Sequence, residues 1–138
     1  MGGLDTAKAK KIKQLIFTKK NKQGLLSEVS TAVAGAKANI NIITAYEMEN
    51  KAHFMVSADK NAKAKAALAK LKIKAKEDDA ISVEMPNKLG ELQKVAQKIA
   101  DAGININYMY GTVGSGRTSV CVFKTSDDKK AISIINKK

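Results

Sequence analysis

Residues 21–26 read Asn-Lys-Gln-Gly-Leu-Leu, and residues 87–92, 66 positions further along, read Asn-Lys-Leu-Gly-Glu-Leu. A second matched pair keeps the same offset, because Asn-Ile-Asn occurs at residues 39–41 and again at residues 105–107. A constant offset without gaps is the signature of an internal repeat. The 138-residue chain is therefore predicted to contain two copies of one structural unit.

Both copies are predicted to contain the same elements in the order strand, helix, strand, strand, helix. A polar turn with a glycine follows the short first strand, and apolar residues then recur at helical spacing. A hairpin and a second helix complete each copy. The elements are expected at residues 15–17, 25–36, 40–46, 53–56 and 61–71, and again at residues 81–85, 91–102, 106–113, 118–123 and 128–135.

The first copy has one more predicted strand, at residues 73–76, which completes the βαββαβ order of the ferredoxin-like fold. Lys138 corresponds to position 72, so the second copy is expected to lack its own last strand. We predict an α+β protein of two tandem ferredoxin-like βαββαβ units, with antiparallel sheets and helices on one face. Residues 1–10 are expected to be a tail, residues 11–77 the first unit, and residues 78–138 the truncated second unit.

The junction between the two copies raises two expectations. Three consecutive acidic residues, Glu77, Asp78 and Asp79, are interpreted as a solvated linker. The missing last strand leaves the edge of the strand at residues 81–85 open, and an open apolar edge pairs or aggregates. We expect the N-terminal segment, the other unit or another chain to cover it, and the last possibility makes a homodimer the expected assembly.

The pair of motifs, Asn-Lys-x-Gly-x-Leu after a first strand and Asn-Ile-Asn opening a second strand, resembles the ACT domain. It is most similar to small stand-alone proteins with two ACT units, from residue 11 to the C-terminus. The family often has proline before the glycine, where this chain has Gln23 and Leu89. The resemblance implies a non-catalytic regulatory protein without a cofactor, which binds an amino acid or a similar small molecule at joints between units.

The chemistry of the motifs suits such a ligand. A glycine between strand and helix allows close approach of the backbone, and the free N–H groups of the first helical turn attract a carboxylate. Asparagine side chains offer both donors and acceptors. The alternative is that the glycines only form turns and the asparagines only cap backbone. The candidate ligand-binding residues are Asn21, Lys22, Gly24, Leu25, Leu26, Asn39, Ile40, Asn41, Asn87, Lys88, Gly90, Glu91, Leu92, Asn105, Ile106 and Asn107.

Four apolar members of this set, Leu26, Leu92, Ile40 and Ile106, are expected to be core residues first and ligand neighbours second. Their helical or strand spacing is the spacing of buried positions.

The net charge of +12 leaves a nucleic-acid or other polyanion partner as the alternative function. Arg117 is the only arginine among 25 basic residues, although arginine is the side chain that reads phosphates and guanine with two aligned donors. Many lysines fall on predicted outer helix faces, which indicates a solvated surface. RNA recognition on strands needs exposed aromatic residues, and alternation is expected to turn some of Phe17, Phe54 and Phe123 inward.

Catalytic and metal chemistry lack the necessary side chains. His53 is the only histidine, so acid–base catalysis would depend on one unsupported group. Acylphosphatases share the strand order but need an arginine in the first turn, where this chain has none. Cys121, the only cysteine, lies in an apolar run and is expected to be buried. No catalytic residue, cofactor or metal site is predicted.

The cytoplasm is the expected compartment, since no apolar stretch approaches the roughly 20 residues of a membrane span and no secretory signal is recognisable. Residues 1–6 fit the loose template for N-myristoylation, with a frayed tail as the alternative interpretation.

Overall fold

The computed structural model describes residues 6–112 and 116–137, and these contain four helices and six strands. The predicted α+β class with antiparallel strands is confirmed. Residues 1–5 of the template for N-myristoylation and residues 113–115 of the second predicted hairpin lie outside the described residues. The elements are β1 (Lys8–Lys20), α1 (Leu25–Gly35), β2 (Ile40–Met48), β3 (Lys51–Ala58), α2 (Asn61–Lys70), β4 (Lys76–Pro86), α3 (Glu91–Asp101), β5 (Ile106–Thr112), β6 (Thr118–Thr125) and α4 (Asp128–Asn136).

Backbone contacts divide the chain into two compact units. Lys13–Asp78 forms one unit, the continuous unit, and Met1–Ile12 together with Asp79–Lys138 forms the other, the split unit. The first residues of β1 therefore belong with the second sequence copy rather than with the first.

In the continuous unit two helices pack on one face of an antiparallel sheet with the order β2, β3, β1. Successive strand residues point to opposite faces, and the residues of one set form the core. Phe17 and Phe54 stack there with ring centroids 4.8 Å apart. The helices contribute Leu25, Val29, Val33, Ala64 and Leu68 to this core.

In the split unit the strand order is β1, β4, β6, β5. Ala9 of β1 shares a core with Ile81 and Val83 of β4. The side chain of Asn136, at the end of α4, accepts a hydrogen bond from the Ala9 N–H (2.7 Å) and donates one to the Ala9 carbonyl oxygen (2.9 Å). The sequence analysis expected one of three segments to cover the strand edge at residues 81–85. In the structure the N-terminal segment, as the start of β1, lies beside β4.

Two strand predictions need correction. Of residues 73–76 only Lys76 is in a strand, and it shares one strand with residues 81–85, because β4 continues without a break from Lys76 to Pro86. The predicted acidic linker lies inside this strand, where the Asp79 carboxylate is 3.4 Å from Lys11 Nζ and the Asp79 carbonyl accepts a hydrogen bond from Lys124 (2.6 Å). Cations on neighbouring strands make the acidic run compatible with a sheet.

The first strand is also longer than predicted. β1 covers Lys8–Lys20 rather than residues 15–17 alone, so residues 8–10 of the predicted tail are part of a strand. Alanines and lysines alternate there, and Ala9 is buried while Lys8 and Lys10 are exposed. Alanine gives only a weak period-2 signal, because its side chain is small.

The expected burial of Cys121 is confirmed, and the chain leaves α3 through a left-handed glycine. Gly103 after α3 has a φ of 73°, in a region that glycine adopts readily, and its repeat equivalent Lys37 reaches the same region with a φ of 63°. Cys121 is buried on β6, and burial raises the pKa of its thiol above the ordinary range. Within the described residues, no helix is both long enough and apolar enough to span a membrane.

Candidate functional site

The glycine turn has the same backbone geometry in both copies. Gly24 and Gly90 each have a φ of 83° and directly precede a helix, α1 and α3 respectively. Their carbonyl oxygens accept the first helical hydrogen bonds, from Glu28 N (3.0 Å) and Lys94 N (3.1 Å). The left-handed conformation excludes most side chains, which explains the glycine. No atom lies within 4 Å of the position a Cβ would take at either glycine, so both turns face open space.

The N-termini of the two helices are uncapped by side chains in the part of the chain that the structure describes. The first N–H groups of a helix have no partner within the helix, and together with the helix dipole they favour an anion. Both turns thus combine open space with directed N–H donors.

A groove lies beside the first of these turns, entirely within the continuous unit, with a volume of about 290 Å³. The turn and α1 form one wall, and the ends of β2 and β3 form the other. Five of its lining residues were predicted from the repeat and five were not. The predicted ones are Asn21, Lys22, Gly24, Leu25 and Leu26, and the others are Ala45, Tyr46, Glu47, Ala52 and Phe54.

Charges of both signs border this groove. Lys22 Nζ lies 2.8 Å from Glu28 Oε2, and this hydrogen bond is the main reason why the pKa of the Glu28 carboxyl is below its ordinary value. On the opposite wall, Glu47 Oε2 accepts a hydrogen bond from Asn50 N (2.8 Å). The Asn21 N–H donates to the Asn50 carbonyl (2.7 Å), which ties the turn to the β2–β3 hairpin. The Lys22 ammonium and the Glu47 carboxylate therefore border the groove, and the groove between them is partly apolar.

Leu26 and Leu92 contradict the expectation that they are core residues, since they are 56% and 47% exposed. Leu25, one position earlier, occupies the core instead. Leu25, Val29 and Val33 form the buried row of α1, and Leu26 lies about 100° further round the helix, outside that row. Ile40 and Ile106 do pack against the two cores, as predicted.

The Asn-Ile-Asn positions do not join the groove within their own units. Asn39 precedes β2, whereas the groove uses the opposite end of that strand. The Asn39 N–H donates to Asp59 Oδ1 (2.8 Å), and Asn39 Nδ2 lies 3.5 Å from Asn41 Oδ1. The Asn39 backbone is thus held by the Asp59 side chain, and the two asparagine side chains contact each other.

The second copy repeats this arrangement. The Asn105 N–H donates to Ser126 Oγ (2.9 Å), and Asn105 Nδ2 donates to Asn107 Oδ1 (3.2 Å). At its glycine turn, Asn87 Nδ2 donates to the Gly116 carbonyl (2.9 Å). Glu91 stands where the first copy has the core residue Leu25, and its carboxylate is 2.9 Å from Lys94 Nζ. The polar residues of the second turn are thus engaged with the split unit itself.

Glu47 and Phe54 escaped the sequence analysis because they lie on the hairpin, far along the chain from the glycine. Ala45 is the register partner of Phe54 and Glu47 that of Ala52, so all four reach the face that carries α1. Only the strand register reveals that they approach the turn.

Replacement of Gly24 by alanine is expected to lower the free energy of unfolding by about 1–2 kcal/mol, because the left-handed conformation costs an L-residue about that much. Gly35 is the matched control: it lies in α1 with open space around it, so the same change there is expected to be neutral or stabilising. Urea unfolding of both variants measures the difference. Equal effects would show that the Gly24 conformation does not require glycine.

Fold and site together define a class of protein, an α+β protein with an antiparallel sheet and an open groove of mixed charge at a glycine turn between a strand and a helix. A family model described as an ACT domain pair matches residues 10–138, and the chain belongs to that family. ACT domains are regulatory domains, so the family is regulatory and no catalytic family is indicated.

Solved structures show the same fold. A protein of Bacteroides thetaiotaomicron has a TM-score of 0.84 and 26% identity, over 91% of this chain and 87% of its own. The ligand-free regulatory subunit of aspartate kinase from Thermus thermophilus has a TM-score of 0.66 and 15% identity, over 94% and 93%. Aspartate kinase of Clostridium acetobutylicum has a TM-score of 0.65 and 16% identity, over 98% of this chain and 35% of its own. No significant match was found among curated protein sequences.

Proposed function

We propose that this protein is a non-catalytic regulatory protein that binds an amino acid at the glycine turn of its continuous unit. The observation that carries the proposal is the groove of about 290 Å³ between that turn and the β2–β3 hairpin. Five residues predicted from the repeat line it, and the uncapped N-terminus of α1 opens beside it.

The groove offers a partner for each part of a free amino acid. The first-turn N–H groups of α1 and the Lys22 ammonium attract the α-carboxylate. The Glu47 carboxylate, on the other wall, suits the α-ammonium, and the Asn21 side chain supplies an amide between them. Ala45, Ala52 and Phe54 leave an apolar floor for a small aliphatic side chain.

We also propose that the two units are duplicated βαββαβ domains, in which Lys8–Ile12 replaces the last strand of the second. The shared core of Ala9 and Ile81 supports this. The candidate residues of the second turn, Asn87 to Leu92, then form a second and weaker site, because the Asn87 side chain already donates to the Gly116 carbonyl.

The Asn-Ile-Asn residues remain outside the proposed groove, since their hydrogen bonds stay inside their own units. A homodimer in the cytoplasm stays part of the proposal. β2 is the last strand of the sheet in the continuous unit and carries the exposed side chain of Ile43, which leaves an edge available for pairing.

A thermal-shift screen against the twenty amino acids, at low and high salt, is the first test. A ligand at 100 times its Kd is expected to add about 2.7 kcal/mol of stability, or roughly 5–10 °C in Tm at this chain length. High salt should reduce the rise only in part, because Lys22 and Glu47 would contribute two exposed charges rather than an extended charged surface. Absence of any selective rise would contradict amino-acid binding.

Variants then locate the site. Gly24→Ala and Glu47→Gln should lower the affinity for the identified amino acid at least tenfold, as measured by isothermal titration calorimetry. Gly90→Ala should lower this affinity less. Asn41→Ala, outside the groove, is the matched control and should leave affinity unchanged. If Gly24→Ala and Gly90→Ala both kept full affinity, the glycine turns would not be the binding sites.

A further inference from the structure

The sheet of the continuous unit has a second face, opposite to its helices. Because strand side chains alternate, the residues between the core positions of β1, β2 and β3 point to this face. Thr18, His53 and Tyr46 form one row across it, since Thr18 pairs with His53 and Tyr46 pairs with His53 in the strand register. The face carries neither α1 nor α2, because both pack on the core side.

An aromatic pair stands out in that row. The rings of Tyr46 and His53 stack with centroids 5.0 Å apart and an angle of 13° between their planes. Thr18 Oγ1 and His53 Nδ1 lie 3.3 Å apart and share a hydrogen bond, which fixes the imidazole from the other side. Tyr46 is nevertheless 49% exposed. A rigid, solvent-facing aromatic platform is the arrangement on which nucleic-acid bases stack.

Two lysines occupy the next row of the same face. Lys20 and Lys51 are register partners, two residues beyond Thr18 and His53, so they stand about 7 Å from the aromatic row. Both are exposed. Met48, the register partner of Lys51 on β2, is 52% exposed and extends the apolar part of the face.

We propose that this face, named the Tyr46–His53 face, binds single-stranded nucleic acid, with bases on the aromatic pair and phosphates at Lys20 and Lys51. The net charge of +12 is complementary to a polyanion. An open face gives one base only about 1–3 kcal/mol, too little to hold a free nucleotide, whereas a strand adds counterion release at each phosphate. The single arginine of the chain predicts binding with little sequence preference.

The phenylalanines considered in the sequence analysis have no part in this proposal. Phe17, Phe54 and Phe123 are all buried in the two cores, so they cannot stack with a base. Tyr46 and His53 form the stacking surface instead. The face adjoins the proposed amino-acid groove at Tyr46, which lines both, whereas His53, Lys20 and Lys51 do not line the groove, so the lysine variant tests this proposal separately from amino-acid binding.

The charge-neutralising variant Lys20→Gln/Lys51→Gln tests the phosphate contacts by fluorescence anisotropy with labelled oligo(dT). The salt dependence of single-strand binding changes by about 0.7 in slope for each phosphate contact, so the plot of log K against log salt should become shallower by about 1.4. Lys63→Gln/Lys65→Gln removes the same charge from α2, on the other side of the sheet, and should leave the slope nearly unchanged. Equal losses in the two variants would overturn the proposal.

Base stacking is tested separately. Tyr46→Leu should lower the affinity for oligo(dT) about tenfold. An abasic strand of equal length should bind the unmodified protein about as weakly as oligo(dT) binds this variant. Duplex DNA should bind less well than a single strand, because its bases are already stacked. Equal affinity for oligo(dT), the abasic strand and the duplex would show that binding is only general charge attraction, and would contradict the proposed face. Tight binding of a mononucleotide, with no gain in affinity from a longer strand, would also contradict it.

Discussion

Replacing Asn136 by alanine is expected to lower the free energy of unfolding by about 2–3 kcal/mol. The Asn136 side chain satisfies both backbone groups of Ala9, at 2.7 Å and 2.9 Å, in a partly buried position. Loss of a partner for a buried polar group costs about 1–3 kcal/mol, and here the N–H and the carbonyl lose theirs together. The Asn136 amide thus closes the free side of the strand segment that completes the split unit.

Two measurements distinguish this role from general helix stability. Urea unfolding gives the free energy, and amide exchange reports the Ala9 N–H directly, which should exchange much faster in Asn136→Ala. Asn107→Ala is the control, because its side chain bonds only to the exposed Asn105 amide and should change stability by less than about 0.5 kcal/mol. Unchanged protection at Ala9 would show that Asn136 does not hold the segment.

Replacing Gly111 by alanine is expected to cost about 2 kcal/mol, through steric conflict and without any change in backbone preference. A Cβ there would lie 2.6 Å from Cys121 Sγ and 2.9 Å from the Val120 carbonyl oxygen. Overpacking of this kind costs typically 1–3 kcal/mol. Since the Val120 oxygen belongs to the backbone of the neighbouring strand, a side-chain rotation alone cannot relieve the conflict.

A double-mutant cycle isolates the two contacts. Cys121→Ala removes the sulfur, so Gly111→Ala should cost about 1 kcal/mol less in that background and still be unfavourable because the Val120 contact remains. Gly116→Ala is the control in the same hairpin, with nothing within 4 Å of the added carbon, and should be nearly neutral. Strict additivity of Gly111→Ala and Cys121→Ala would contradict the predicted clash.

Local signals account for the parts of the fold that were predicted correctly. Glycine turns, helix spacing and the hairpins depend on residues close in sequence, and the repeat at an offset of 66 doubled each signal. The strand limits were less accurate. β1 begins at Lys8 in an Ala-Lys stretch with little apolar periodicity, and β4 runs through three acidic residues that locally resemble a loop.

The candidate site divides in the same way. Asn21, Lys22 and Gly24 were found because they are contiguous and repeated, and they do line one groove. Glu47 and Phe54 were missed, since only the pairing of β2 with β3 carries them to the turn. Asn39 and Asn105 are part of an equally clear repeat, yet their backbone N–H groups donate to the Asp59 and Ser126 side chains, away from the groove.

The sequence by itself determined the internal repeat, the order of the helices and strands it contains, and the glycine turns before α1 and α3, because each depends on short-range backbone preference or periodicity. Only the tertiary structure decided which strand covers β4, which residues face the groove, and that Leu26 and Leu92 are exposed. These features depend on contacts between residues far apart in the chain. Such contacts follow from strand register and core packing, which local patterns do not encode.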